Sequence, residues 1–148
     1  MGKKYTLIFS TALFIFLLDQ STKFLIRKNF QLNGSMAIIK GIFHLTYVTN
    51  TGSAFGLFKN LNWLFMLFSI AVIIAIFYYS RKNFGEKERF LQFAVGLLLG
   101  GTIGNMIDRI LYGAVTDFLD FRVWPVFNVA DSAVTISVII LIILLWKK

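Results

Sequence analysis

Four long apolar segments restrict what this chain of 148 residues can fold into. Each is close to the roughly 20 residues that an α-helix needs to cross a bilayer core about 30 Å thick. Helices that are apolar on all sides cannot all be buried in a soluble core of this size. The sequence therefore predicts an all-α membrane protein in which the whole chain, 1–148, forms one integral membrane domain. The expected spans are 5–26, 61–79, 90–110 and 126–146.

Basic residues next to these segments predict the orientation of the helices. Lys3 and Lys4 precede the first segment, residues 81–89 join the second to the third, and Lys147 and Lys148 follow the fourth. Because basic residues collect on the cytoplasmic side of a membrane, both termini are expected in the cytoplasm. The net charge of +8 then reflects contact with anionic lipid headgroups.

Several function classes are disfavoured by what the sequence lacks. Cysteine is absent, which excludes disulfides, thiol catalysis and cysteine metal sites. The sequence has no basic stripe with base-stacking aromatics, which would indicate nucleic acid binding. The single histidine, His44, has no acid or cysteine near it in sequence and is interpreted as a strand residue at a polar surface. Since no clear signal for oligomerisation is present, we expect a monomer.

Two segments are expected on the outer side of the membrane. In the first, residues 43–48 alternate between two faces and are rich in aromatic and β-branched side chains, which indicates a strand. Gly52 and Gly56 then interrupt the pattern, with a turn at residues 50–52. We expect a small β element within residues 27–60, between the first two helices and against the membrane surface. The second outer segment, 111–125, is interpreted as a short loop.

The acidic residues are distributed unevenly. The two glutamates, Glu86 and Glu88, lie in the expected cytoplasmic loop, whereas all five aspartates fall near the outer ends of spans or in the outer loop. Carboxylates are costly near hydrocarbon, so five at one level indicate a shared polar site. They are Asp19, Asp108, Asp117, Asp120 and Asp131.

Several polar and glycine positions allow both a structural and a functional interpretation. Asp19 and Lys23 have the spacing of an ion pair within a helix, either with Lys23 extended outward to water or with a direct role at the substrate. The stripe Gly96, Gly100 and Gly104 predicts close helix packing. Gly101 lies off that stripe, where its missing side chain would admit a ligand.

The outer end of the third span carries Asn105, Asp108 and Arg109. One interpretation is a structural cluster that holds the following loop. The other is a site in which Arg109 binds a carboxylate or a lipid phosphate through two hydrogen bonds.

Asp131 also has two interpretations. It follows Asn128 by three residues at the start of the fourth span, which is typical of a capping box and suits the helix dipole. Asp117, in the preceding loop, changes this interpretation. Two facing carboxylates share a proton, so one acts as a base while the other acts as an acid, as in an aspartic protease.

Five motifs of the chain, in order, resemble those of the bacterial lipoprotein signal peptidases, also called signal peptidase II. Each motif is weak alone, but together they cover essentially the whole of a short protein. They are DQSTK (19–23), NTGSAF (50–55), GGTIGNMIDR (100–109), GAVTDF (113–118) and FNVAD (127–131).

The resemblance implies a four-helix membrane aspartyl endopeptidase with an extracytoplasmic β-cradle and an active site at the outer face of the bacterial cell membrane. Such enzymes remove the signal peptide of prolipoproteins, cutting before a cysteine that carries diacylglyceryl, and the resemblance implies no metal or other cofactor. The catalytic pair of the family corresponds to Asp117 and Asp131, and the resemblance implies no catalytic role for Asp120. The supporting residues fall on Asp19, Lys23, Asn50, Gly52, Gly104, Asn105, Asp108, Arg109 and Asn128.

Two other functions remain open on the residues alone. Clustered aspartates at a membrane edge also hold Mg²⁺ with phosphates, as in a metal-dependent phosphatidyltransferase. In that family, however, the last two acids stand four apart on a helix, whereas Asp117 and Asp120 stand three apart. The second alternative is a non-enzymatic transporter in which Asp19 and Asp131 relay protons.

Overall fold

The structure is a computed structural model that describes residues 3–52, 62–83 and 88–146. The second half of the NTGSAF motif, residues 53–55, and Glu86 of the predicted cytoplasmic loop lie outside these ranges. The predicted class is confirmed in its coarse form, since the protein is mainly helical with one small antiparallel sheet. The elements are α1 (Lys3–Asn29), β1 (Ser35–Ile39), β2 (Phe43–Asn50), α2 (Asn62–Asn83), α3 (Arg89–Tyr112), β3 (Val115–Asp120) and α4 (Val129–Trp146).

Among the described residues, two helices are long and apolar enough to cross a membrane by length and composition, over Tyr5–Asn29 and Arg89–Tyr112. Shorter apolar helices cover Asn62–Tyr78 and Val129–Leu144. The last helix begins at Val129 because the side chain of Asn128 caps it.

Glycines let α3 approach the helices on both of its sides. A Cβ at Gly100 would lie 2.6 Å from the carbonyl oxygen of Ala12 in α1, so the predicted role of the stripe in helix packing is confirmed. The interpretation of Gly101 as an opening for a ligand is wrong. A Cβ there would lie 2.6 Å from the carbonyl oxygen of Ala130, because the backbone of α4 fills that space.

The sheet is built from two distant parts of the chain, with strand order β1-β2-β3. The predicted β element between the first two helices supplies only two of its strands. The third, β3, lies within 111–125, which was wrongly interpreted as a loop. Register shifts between Ala37 and Ile39 and between Leu45 and Val48 interrupt the ladders, and irregularities of this kind bend a strand.

Two turns direct β3 and α4 toward the same end of the helices. Gly113 ends α3 with φ 70°, where its backbone N–H donates to the carbonyl oxygen of Arg109 at 3.1 Å, and glycine adopts this left-handed conformation without steric cost. After β3 the chain folds back, and Phe127 exchanges backbone hydrogen bonds with Leu119. Asn128 therefore lies beside β3 at the start of α4.

Candidate active site

Asn128 contacts both aspartates of the predicted pair. Its side-chain oxygen accepts from the backbone N–H of Asp131 at 2.8 Å, and Asp131 Oδ2 accepts from the backbone N–H of Asn128 at 3.2 Å. This is the capping box that the sequence predicts. The amide of Asn128 also donates to Asp117 Oδ1 at 2.6 Å. The helix cap and the pairing of the two aspartates therefore occur together, through one asparagine.

Asp117 is a buried residue of β3, and not the loop residue that the sequence predicted. Its Oδ2 accepts from the amide of Asn50 at the end of β2, at 3.1 Å. Asn50 is itself fixed by the backbone N–H of Gly52, which donates to its Oδ1 at 3.0 Å. Burial, and next the negative charge of Asp131, raise the pKa of Asp117 to about 7. These effects outweigh the hydrogen bonds from the asparagines and favour the protonated carboxyl.

Asn105 connects Asp131 to a buried lysine. Lys23 Nζ donates to Asn105 Oδ1 at 2.9 Å, and the amide of Asn105 donates to Asp131 Oδ1 at 2.7 Å. Because the amide has a fixed direction here, its donor faces the carboxylate and its acceptor faces the ammonium group.

Asp19 and Lys23 form an ion pair of 2.8 Å, and both side chains are fully buried. The interpretation in which Lys23 extends outward to water is therefore wrong. Asp19 Oδ1 also accepts from the backbone N–H of Ala130 at 2.9 Å, which links α1 to the first turn of α4. A Cβ at Gly104 would lie 2.6 Å from Asp19 Oδ2, so glycine is required for this approach.

Asp108 and Arg109 have different surroundings. Asp108 is fully buried, lies 3.6 Å from Lys23 Nζ, and accepts from the backbone N–H of Thr116 at 2.9 Å. Arg109 lines a cavity, with its guanidinium carbon 5.0 Å from the ring centroid of Phe65. Arg109 Nε is buried with no hydrogen-bond partner among the described residues. Asp108 thus links α3 to α1 and β3, whereas Arg109 faces the space where a ligand would lie.

Asp117 and Asp131 line one cavity of about 750 Å³. Asn50, Asn105 and Arg109 add polar groups to its wall, and much of the remaining wall is apolar. The apolar part includes Phe121, Trp124, Val126, Val134 and Ile136. A cavity that is mainly apolar with a few convergent polar groups is typical of an active site.

Asp120 does not belong to this cluster, so four of the five aspartates gather rather than all of them. Asp120 Oδ2 accepts from Thr46 Oγ1 at 2.7 Å, and Oδ1 accepts from the backbone N–H of Arg122 at 2.9 Å. Burial acts to raise the pKa of Asp120, but these two hydrogen bonds and the charge of Arg122 bring it below its usual value. Arg122 also donates to His44 Nδ1 at 2.7 Å, and His44 is the strand residue that the sequence predicted.

Three residues of the buried cluster were not predicted from the sequence. The amide of Gln20 contacts Asp19, Asp108 and the carbonyl oxygen of Gly104. Arg27 contacts Asp108 and Thr116, and Thr116 precedes Asp117 in β3. A signal for Arg27 was present, because Asp19, Lys23 and Arg27 are spaced four apart and share one face of α1.

A family model described as "Signal peptidase (SPase) II" matches residues 11–147. The chain belongs to the signal peptidase II family. It is 42% identical over 144 residues to a lipoprotein signal peptidase of Halothermothrix orenii, covering 96% of this chain and 97% of the relative. It is 46% identical over 131 residues to the lipoprotein signal peptidase of Moorella thermoacetica, covering 88% and 86%.

The fold agrees with this membership in signal peptidase II. A solved structure of a bacterial membrane enzyme superposes with a TM-score of 0.91 at 36% identity, covering 99% of this chain and 93% of that one. A second solved bacterial membrane enzyme gives a TM-score of 0.89 at 36% identity, covering 100% and 99%. The resemblance inferred from the five motifs is confirmed. The protein is a bacterial integral membrane protease of the aspartic type that cleaves the signal peptides of prolipoproteins.

Proposed function

We propose that Asp117 and Asp131 are the catalytic dyad with which this signal peptidase cuts a diacylglyceryl-modified prolipoprotein before its lipidated cysteine. The observation that carries this proposal is that one asparagine, Asn128, donates hydrogen bonds to both carboxyl groups where they line a common cavity. Capping of α4 involves only Asp131, whereas Asn128 also donates to Asp117. The negative charge of Asp131 also helps to raise the pKa of Asp117, as expected for two carboxyl groups that share a proton.

The reaction is hydrolysis of one peptide bond. The ionised carboxylate removes a proton from water, whose oxygen attacks the scissile carbonyl carbon, while the protonated carboxyl donates a hydrogen bond to the carbonyl oxygen. The C–N bond then breaks, and the departing amine takes up the proton that the carboxylate removed from water. The raised pKa of Asp117, at about 7, supports a pair of carboxyl groups that holds one proton at rest.

The supporting residues divide into two groups by what they contact. Asn50, Gly52 and Arg109 line the cavity, where the amide of Asn50 and the guanidinium group of Arg109 suit the carbonyl oxygens of a bound peptide. The others, including Asn105 in the cavity wall, contact the dyad or its neighbours and orient them. These positioning residues are Asp19, Lys23, Gly104, Asn105, Asp108 and Asn128.

We infer four membrane spans within the single domain 1–148, with both termini in the cytoplasm and the site at the outer face. Asn62 at the start of α2 donates to the carbonyl oxygen of Gly113, which lies beyond the end of α3. The ends of α1 and α3 and the starts of α2 and α4 therefore share one end of the molecule, as alternating spans require. The basic residues at 3–4, 81–89 and 147–148 assign the opposite end to the cytoplasm.

The apolar part of the cavity suits the lipid of the substrate. Ile136 lines it five residues after Asp131 in α4 and is 50% exposed. Trp124 also lines the cavity and is 61% exposed. A lipidated chain diffusing in the bilayer can thus bring its acyl chains against apolar side chains while the scissile bond meets the carboxyl groups. A monomer suffices for this arrangement.

The test is cleavage of a purified prolipoprotein with and without its diacylglyceryl group. We expect cleavage of the lipidated form only, and a loss on the order of 10³-fold or more in kcat for Asp117→Asn and for Asp131→Asn. Asp120→Asn is the matched control outside the cavity and should remain active. Substantial turnover by either dyad variant would remove that residue from the dyad.

A further inference from the structure

Thr116, the residue before Asp117, is held at two atoms by helices outside the sheet. Its backbone N–H donates to Asp108 Oδ2 of α3 at 2.9 Å. Its side-chain hydroxyl accepts from Arg27 Nη1 of α1 at 2.9 Å. Thr116 is 2% exposed, so both contacts are made away from water.

Arg27 is itself fixed from two sides. Its Nη1 lies 3.5 Å from both carboxylate oxygens of Asp108. The guanidinium carbon lies 4.4 Å from the ring centroid of Tyr112, at the end of α3, within the range of a cation–π contact. Arg27, Asp108 and Thr116 therefore form a clamp that joins the ends of α1 and α3 to the start of β3.

The clamp lies close to an interruption of the β2–β3 ladder. The β2–β3 ladder pairs Thr49 with Thr116 and Val48 with Asp117, and its register then shifts before Leu45 pairs with Leu119. A shift of this kind disrupts the ladder locally. Because neighbouring side chains of a strand point to opposite faces, fixing Thr116 toward the helices directs Asp117 toward the cavity.

We propose that Arg27, acting through the hydroxyl of Thr116, is a positioning residue for peptide-bond cleavage. It sets the placement of Asp117 relative to Asp131 and does not touch the substrate. The inference rests on the proposed function of the dyad. A displacement of about 1 Å at a reacting group costs on the order of 10²-fold in rate, so loss of the clamp should lower kcat more than substrate binding.

Thr116→Val is the sharpest variant, because it removes the hydroxyl while keeping the shape of the side chain and the backbone N–H bond to Asp108. We expect kcat to fall about 10- to 100-fold, with KM changed by less than about threefold. Thr116→Ser keeps the hydroxyl and should recover kcat to within about threefold of the starting protein. Arg27→Gln should match Thr116→Val, and Lys28→Gln, at an exposed neighbouring position, controls for the loss of one positive charge.

Two further readouts separate positioning from simple stability. The high-pH limb of the cleavage profile should move to lower pH in Thr116→Val, because Asp117 lies farther from the charge of Asp131. In a double-mutant cycle, Arg27→Gln with Thr116→Val should be less than additive in kcat, because both variants break one contact.

The proposal is overturned by wild-type kcat and an unchanged pH profile in Thr116→Val, or by fully additive effects in the cycle. It is also overturned if Thr116→Ser fails to restore kcat while all variants lose thermal stability in parallel, since the contact would then serve only folding. Failure of the dyad itself gives a different result, namely substantial turnover by Asp117→Asn. The two proposals are therefore tested separately.

Discussion

Asn128 donates a hydrogen bond of 2.6 Å to Asp117 from the position that caps α4. The carboxylate of Asp131 accepts in turn from the backbone N–H of the same asparagine. The start of α4 thereby holds the carboxyl group of Asp117 in β3 and that of Asp131 in α4 at one cavity. Asp117 and Asp131 lie 14 positions apart in the sequence. Asn128 holds them together because it donates a hydrogen bond to each.

Asn128→Ser separates the two roles of this asparagine. Serine caps a helix about as well as asparagine does. The loss of stability should therefore be limited to that of the buried hydrogen bonds of the amide, about 1–3 kcal/mol. Serine cannot reach Asp117, and we expect kcat to fall about 10- to 100-fold. Cleavage assays and thermal unfolding in detergent measure the two effects. An unchanged kcat in the Asn128→Ser protein would show that the asparagine acts only as a cap.

The pH dependence should follow the raised pKa of Asp117. Cleavage should decline as the pH rises above about 7, because the dyad then loses the proton that its acid needs. In the unfolded chain Asp117 loses its proton near 3.8, whereas the folded protein keeps it to about 7. The contribution of Asp117 to stability is therefore full below about pH 4 and is lost as the pH rises to about 7.

The control for this effect is Asp117→Asn, which carries no titrating group at that position. Its free energy of unfolding in detergent should depend less on pH between about 4 and 7 than that of the starting protein. If the free energy of unfolding depended equally on pH in the two proteins, the raised pKa of Asp117 would be contradicted.

Lys23→Met should destabilise the protein by about 3–5 kcal/mol, because it leaves the buried carboxylates of Asp19 and Asp108 without their shared cation. Lys28→Met, on the exposed side of the same helix, should change stability far less. Thermal unfolding in one detergent compares the two variants. A Lys23→Met protein as stable as the Lys28→Met protein would show that the ion pair is not needed for folding.

Gly104→Ala should destabilise the protein by about 1–3 kcal/mol and reduce cleavage, because the added methyl group would meet Asp19 at 2.6 Å. Asp19 also accepts from the backbone N–H of Ala130, so its displacement would disturb the first turn of α4. Gly41→Asn is the matched control, since Gly41 has φ 76° with open space around it and asparagine tolerates that conformation. A fully stable and active Gly104→Ala protein would contradict the close packing of Asp19.

Cleavage should persist after treatment with a strong chelator. Both carboxyl groups accept short hydrogen bonds from asparagine amides, at 2.7 Å for Asp131 and 2.6 Å for Asp117, whereas Mg²⁺ binds through oxygen ligands and water. The measurement is the cleavage rate before and after dialysis against the chelator, with added Mg²⁺ as the comparison. Loss of activity that Mg²⁺ restores would favour a metal-dependent enzyme.

The helices and the capping box could be predicted from the sequence because they depend on residues that are close together in the chain. An apolar run, a glycine every fourth residue and an asparagine three positions before an aspartate each predict their structure from local spacing. The spacing also predicted the ion pair of Asp19 and Lys23, but the direction of Lys23 was wrong. Whether that lysine reaches water or is buried depends on which helix covers it.

The sequence by itself determined the apolar helices, the α4 cap and, through five ordered motifs, the family. Only the tertiary structure decided that residues 115–120 form the third strand of the sheet and that Arg27 reaches Thr116. The physical reason is that strand pairing and buried ion pairs join residues far apart in the chain, as Asp108 and Arg27 are. Their energies depend on burial and mutual distance, which a single sequence does not specify.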